Sequence, residues 1–483
     1  MLVNVRIANI TQRGREPDMT SNGQNGRSGK RPEAPRPASS SAARARAGRE
    51  TRLSAPRSSF GEWTPTTNRD PYAILAAQDT AREATLVPLR HERMAVSPFT
   101  FFRGAAAVMA ADLSTLPRTG LDVQLCGDAH LANFGVFASP DRAKVFDLND
   151  FDETLPGPFE WDLMRLVASF EVAARDRSFD DPTRVLVATE SVLSYVAAMR
   201  EFAAMGHLDV WYERITVDDI AARWGATASK AMTRRFERTV QRARSKNRLR
   251  AFEKLVETSD GVSRFRSDPP VLVPARDLIE EHELDELMTT IGRSLQLYRR
   301  TLSPDRRVLL DRYRFVDLAR KVVGVGSVGT RCWVALLIGD DESDPLFLQV
   351  KEATASVLEE HLGASRYDQH GQRVVEGQRL IQSSPDVFLG WERGRGVDGV
   401  DRDYYFRQLW DWKGSADLDR IRPEGLAMYA ALCGRCLAHA HARTGDSVAI
   451  AAYLGKGRTL TSSLVEFARR YADQNEADHR GYA

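Results

Sequence analysis

In Cys126-Gly-Asp128-Ala-His130-Leu-Ala-Asn133 a carboxylate is followed five residues later by an amide, and Asn149-Asp150-Phe-Asp152-Glu153 brings a second group of carboxylates. A carboxylate can orient a hydroxyl and take its proton, while an amide oxygen and a carboxylate are hard oxygen donors suited to magnesium. Together they would make the chemical half of a phosphoryl-transfer site. Asp128 is the candidate catalytic residue, and Asn133 and Asp150 are the candidate metal ligands. Asp147 and Asp152 stay open as replacements for Asp150 or additions to it. The plain alternatives are an Asx-stabilised turn for Asp128 and Asn133, and a polar loop for Asp150.

Positioning these groups requires strands that end beside one another. Leu121-Asp-Val-Gln-Leu-Cys126 alternates like a half-buried strand that stops at Gly127, and Lys144-Val-Phe-Asp-Leu148 leads into the acidic segment. Twelve residues past Asp150, Asp162 opens a helical stretch, Glu160 to Phe170, and is placed to brace the loop. Upstream, Ser97-Pro98 caps an Ala-rich helix running through Leu113.

A second set of candidates comes late in the chain. Gly324-Val-Gly326-Ser327-Val-Gly329 lies between two strand-like runs, where glycines let backbone N–H groups approach phosphate oxygens. A hairpin follows, Arg331 to Ile338 and Leu346 to Lys351, with Lys351 in an apolar strand 22 residues beyond Gly329. A nucleotide site places its phosphate-pairing lysine there; an exposed edge lysine is the alternative. The orienting carboxylate is expected on the helix around 372–382, at Glu376, with Glu359 and Glu360 as alternatives. Strands at 387–391 and 404–409 and helices from about Pro423 complete the reading.

The chain has 483 residues, a net charge of +2 and four cysteines, which fits a soluble cytoplasmic protein without a disulfide framework. No apolar run suggests a membrane partner. Residues 1–60 hold 12 Arg or Lys against 4 Asp or Glu and few large apolar residues, so residues 1–65 read as a disordered basic tail. The remaining divisions are 66–180 for the catalytic and metal-binding part, 181–311 for an almost wholly helical region, 312–415 for a β-rich nucleotide-binding lobe, and 416–483 for C-terminal helices on the helical lobe. The basic run at 234–250 lacks interleaved aromatic residues, so nucleic acid is not the expected partner. Cys433-Gly-Arg-Cys436 with His439 and His441 has a zinc-like look, but its helical setting favours core residues.

Ser97-Pro-Phe-Thr-Phe-Phe-Arg-Gly104, Cys126 to Gly135, Phe146 to Thr154, Pro158 to Leu166, Gln372 to Gln378 and Ala440 to Asp446 resemble an uncharacterised family, domain of unknown function 2252. More distantly, Gly-Asp-x-His-x-x-Asn with an acidic strand end and an Asp-Leu helix is similar to the aminoglycoside and choline phosphotransferases of the protein-kinase-like superfamily. That resemblance implies that Asp128 is the catalytic base, Asn133 and Asp150 the metal ligands, and Asp162 the helix aspartate. Cys126 departs from it, standing where those enzymes usually carry histidine. So does the order of the halves, because the glycine loop and Lys351 follow the catalytic segment.

The expected fold is therefore α+β and protein-kinase-like, two-lobed and circularly permuted, with a large helical insertion. The expected function is ATP- and magnesium-dependent phosphoryl transfer to a hydroxyl of a small molecule or protein. A nucleotide-binding scaffold without transfer is the second class. A metal-dependent hydrolase using Asp147, Asp150, Asp152 and Glu153 is the third.

Overall fold

The alternating segments around the first motifs form two short antiparallel pairings. β1 (Asp122–Leu125) pairs with β4 (Leu155–Pro158), and β2 (Phe134–Ala138) pairs with β3 (Lys144–Leu148). The β2–β3 register sets Phe134 opposite Leu148, and just beyond it the Asn149 amide donates to the Asn133 carbonyl at 2.9 Å. The amide of the first motif and the start of the acidic segment thus leave the same end of one hairpin. A computed structural model describes residues 40–225, 247–259, 261–396, 399–409 and 414–483, with isolated positions 234, 237, 238, 240 and 241.

Most helices pack around these pairings. The Glu160–Asp176 helix is buried through nearly its whole length, against the Arg458–Tyr482 and Asp181–Phe202 helices, and the latter packs on Pro423–Thr444. Their side chains join Leu125, Phe134, Leu148 and Phe151 in one core. Ser97 caps its helix through a reciprocal capping box with Thr100, but the helix ends at Gly104 and a second one, Ala106–Ser114, begins after Ala105.

The second unit is a six-stranded antiparallel sheet in the order β11-β12-β10-β9-β8-β7, making the fold α+β. Its strands are β7 (Leu272–Pro274), β8 (Arg314–Lys321), β9 (Cys332–Ile338), β10 (Pro345–Ala353), β11 (Gly390–Arg395) and β12 (Asp401–Gln408). β9 and β10 form the expected hairpin, with Lys351 opposite Cys332. The His370–Ile381 helix connects β10 to β11. Strand alternation gives the sheet two faces. Leu346, Leu348 and Val350 pack with the Leu284–Thr301 helix, whereas Phe347 packs with Leu255 and Phe265.

Two boundaries need correction. The 181–311 segment is not wholly helical: β5 (Val256–Ser259) and β6 (Val262–Phe265) form a hairpin, and β7 joins the sheet. The β-rich unit therefore begins near residue 248, and the Leu284–Thr301 helix belongs to it. The basic run at 234–250 lies largely outside the described residues.

Residues 40–65, expected to be part of a disordered tail, are folded onto the helical unit. Ser41–Glu50 is a helix capped by Ser40, and its Gly48 lies so close to Ala449 that a Cβ would overlap the carbonyl. Arg52 donates to the carbonyls of Ala452 and Tyr453, and Arg57 Nη1 donates to that of Leu454 at 2.9 Å. These carbonyls end the Ser447–Leu454 helix and have no partner within it. Arginines thus anchor a segment poor in large apolar residues, and Phe60 and Trp63 add the apolar contact. Residues 1–39 of the expected tail lie outside the described residues. Among the described residues no helix is long and apolar enough to cross a membrane.

Candidate functional site

Gly127 turns the chain out of β1. Its φ is +84°, and a Cβ there would sit 2.2 Å from the Glu153 carbonyl oxygen, so only glycine fits between the two motifs. Asp162 braces the turn from the first turn of its helix: Oδ2 accepts from Cys126 N at 2.6 Å and Oδ1 from Gly127 N at 2.9 Å. The Cys126 thiol, which burial keeps protonated, donates to the Asp150 carbonyl at 3.1 Å. Asp162 therefore fixes the first turn, and the Cys126 thiol ties that turn to the acidic loop.

Within the turn, Asn133 Nδ2 donates to the Asp128 carbonyl at 2.8 Å. The amide nitrogen is committed to the loop, which leaves the amide oxygen as the group able to meet a cation. Asp128 Oδ1 accepts from Arg165 at 2.6 Å, and Arg165 also donates to the Phe102 carbonyl and lies over the Phe102 ring. His130 Nδ1 accepts from Ala132 N, and burial lowers the His130 pKa to about 4, so this imidazole is neutral near pH 7.

Lys351, late in the chain, meets the acidic loop of the early segment. Its ammonium donates to Asp152 Oδ2 at 2.5 Å and lies 3.7 Å from Asp150 Oδ1, with the side chain 2 % exposed. Burial alone would lower its pKa, but Asp150 and Asp152 outweigh burial and hold it well above the ordinary lysine value. Tyr405 donates its hydroxyl to Asp152 Oδ1, and Arg407 donates to the Asn149 carbonyl at 3.0 Å. Ser356 Oγ and Val357 N bind the carbonyl and carboxylate of Glu153. The sheet unit and the helical unit are thus joined across the acidic loop.

Residues 82–483 match the profile of a family described as an uncharacterized protein conserved in bacteria, DUF2252. The chain belongs to the DUF2252 family. No curated protein and no solved structure matches it.

In this DUF2252 chain not every expected residue reaches the junction. Glu376 pairs with Arg379 on its own helix at 2.9 Å and gives Lys351 no support. Glu359 Oε1 accepts from Ser356 N, and Glu360 is not among the described partners of the lysine. The His370–Ile381 helix instead presents buried Arg373, which donates to the carbonyls of Thr154, Asp152 and Thr354. The carboxylates facing Lys351 come from the acidic loop, because the helix meets that loop with an arginine.

Asp147 also drops out as a metal ligand. It is buried and accepts from Leu148 N, from Ser383 N and from the Cys436 thiol, and burial raises its pKa to about 6. Glu153 is occupied as described, with its pKa raised to about 7 by burial against the opposing effect of Arg373. The four-carboxylate cluster expected of a hydrolase therefore does not converge. Among the described residues no group of three or more His, Cys, Asp or Glu is gathered to hold a metal. Cys433 and Cys436 are buried; His439 pairs with the Val210 carbonyl, and His441 with Tyr195.

The glycine loop lies against the helical unit. Val325 packs with Met94 and Phe101, Arg93 donates to the Gly324 carbonyl, and a Cβ on Gly326 would meet the Arg103 carbonyl at 3.2 Å. Glu83 N donates to the Gly329 carbonyl, and Ser327 turns back through its own carbonyl to Thr330. The loop thus sits over the end of the Pro98–Gly104 helix. There Arg103 has a buried Nε without a hydrogen-bond partner among the described residues, and its guanidinium feels the charges of Asp128 and Asp150. Sequence reading passed over Arg103, Arg165 and Arg407. Arg103 and Arg165 had a local signal, each as the one charge in an apolar run, Phe-Thr-Phe-Phe-Arg-Gly and Leu-Met-Arg-Leu-Val-Ala-Ser-Phe.

Proposed function

We propose that the chain is an ATP- and magnesium-dependent phosphotransferase with a circularly permuted, protein-kinase-like arrangement, acting on a hydroxyl of a small molecule or protein. The carrying observation is the 3.7 Å approach of Lys351 to Asp150. Chain order separates them by about two hundred residues, yet the lysine stands on the third strand of a glycine loop–hairpin unit and the aspartate follows Asp128 and Asn133. Kinases join the same parts.

The donor set fits magnesium. Asn133 offers an amide oxygen and Asp150 a carboxylate from the same hairpin end; magnesium takes one or two protein ligands and leaves the rest to phosphate and water. When bound, the ion supplies charge neutralisation for the transferred phosphoryl group. Lys351 holds the α- and β-phosphates, the backbone from Gly324 through Gly326, Ser327 and Gly329 covers them, and Asp128 orients the acceptor hydroxyl. Arg103, beneath the glycine loop, adds positive charge facing Asp128 and Asp150.

The reading is tested by titrating MgATP into the full chain. Binding is expected to weaken at least tenfold in Asp150→Ala and in Lys351→Met, with the far-ultraviolet dichroism retained; unchanged affinity in both overturns it. The nucleotide-binding scaffold is favoured by one observation, the engagement of Asp128 by Arg165. Binding of MgATP without turnover across varied acceptors would select it.

A further inference from the structure

On the opposite face of the sheet from Lys351, a cavity of about 280 Å³ lies between the Leu284–Thr301 helix and the strands. Ile291 and Leu295 line it from the helix, and Leu318, Ala335, Val350 and Phe406 from the sheet. Alternation along β10 separates it from the candidate site, since Val350 faces the cavity and its neighbour Lys351 faces the acidic loop. A second hollow of about 420 Å³ opens beside it, and both are lined by Ser294 and Glu392.

Glu392 is the chemical feature of this space. It is 4 % exposed, and Oε1 accepts from Ser294 Oγ at 2.6 Å. Oε2 is buried and has no hydrogen-bond partner among the described residues. A Cβ on Gly394 would come within 2.4 Å of that oxygen, so only glycine leaves room for the carboxylate at this point of β11. A buried carboxylate oxygen without a donor costs free energy that a ligand donor would offset, and a charged donor offsets most. Arg331, at the rim, is already engaged with Glu352 at 3.2 Å, and Arg395 at the mouth is exposed to solvent.

We propose that this space binds a small apolar amine, with its hydrocarbon body against Ile291, Leu295 and Val350 and its ammonium group donating to Glu392 Oε2. The site is independent of the phosphotransferase reading. It would recognise the class by two features together, an apolar wall and one internal carboxylate.

The test is calorimetric titration of the full chain at pH 7.5 with 2-phenylethylamine and, separately, with 3-phenylpropionate, which has a similar body and the opposite charge. Saturable binding of the amine and none of the acid is expected. Glu392→Gln, and Ile291→Phe, which fills the cavity, should each weaken the amine at least tenfold. If Glu392→Gln does not fold, Ile291→Phe and the amine–acid comparison on the unaltered chain decide the matter. Absence of amine binding, equal binding of the acid, or full affinity in a folded variant overturns the proposal.

Discussion

Arg165 donates to Asp128 Oδ1 at 2.6 Å, and its own side chain is only 3 % exposed. The carboxylate proposed to orient an acceptor is therefore also the counter-charge of a buried guanidinium. Removing either partner leaves a largely buried charge uncompensated, which costs about 3–5 kcal/mol when burial is complete and less here because Asp128 keeps some exposure. Asp128→Asn and Arg165→Met should each lower urea-unfolding stability by about 2–4 kcal/mol. The double variant should recover at least about 1 kcal/mol relative to their sum. Strict additivity would show that the pair is not coupled.

Arg373 and Glu376 lie on one helix and should behave oppositely. Arg373 satisfies three carbonyls at the junction, so Arg373→Met is expected to cost about 3–5 kcal/mol through lost charged hydrogen bonds and orphaned carbonyls. Glu376→Ala removes a partly exposed pair with Arg379 and should change stability by less than about 0.5 kcal/mol. Thermal melts of the two variants read the difference directly.

Gly127 and Gly120 both have positive φ, +84° and +67°, but only Gly127 is crowded. Gly120→Ala meets no atom within 4 Å and should carry only the backbone strain, about 1 kcal/mol. Gly127→Ala adds overlap with the Glu153 carbonyl and should cost roughly 3 kcal/mol or more. Equal melting temperatures for the two would show that the turn yields.

Asp147 gives a pH prediction with a definite sign. Its folded pKa is raised to about 6 by burial, so between its ordinary value and about 6 the folded state binds more protons than the unfolded state. Its contribution to stability is fully present at pH 3.5 and declines as pH rises through about 6. Asp147→Asn removes that decline. The stability of the variant relative to the parent should rise by on the order of 2 kcal/mol from pH 4 to pH 7, measured by urea unfolding at each pH. A pH-independent difference would place the Asp147 pKa at its ordinary value.

The readable parts of the sequence were those with local causes. Alternation marked β1, β3 and the β9–β10 hairpin, and Ser97 with Pro98 marked a helix start. The structured segment from Ser41 to Trp63 was missed because arginines donating to distant carbonyls leave no periodic signal in their own segment. β7 is three residues long and exists through its pairing with β8, so no pattern of its own distinguishes it.

The candidate site divides the same way. Residue types and spacing selected Asp128, Asn133, Asp150 and Lys351: the first three flank short strands, and Lys351 follows an apolar run within β10. The orienting carboxylate was sought on a helix following the lysine, and the structure supplies Asp152 from a loop two hundred residues earlier. Charge pairing in three dimensions is set by which loops the packed units bring together. The sequence by itself thus determined the chemical groups, the α+β class and the brace by Asp162. Only the tertiary structure decided that Lys351 meets the acidic loop, that Arg165 holds Asp128, and that Asp147 and Glu376 face elsewhere, because burial and long-range pairing, rather than local spacing, choose each partner.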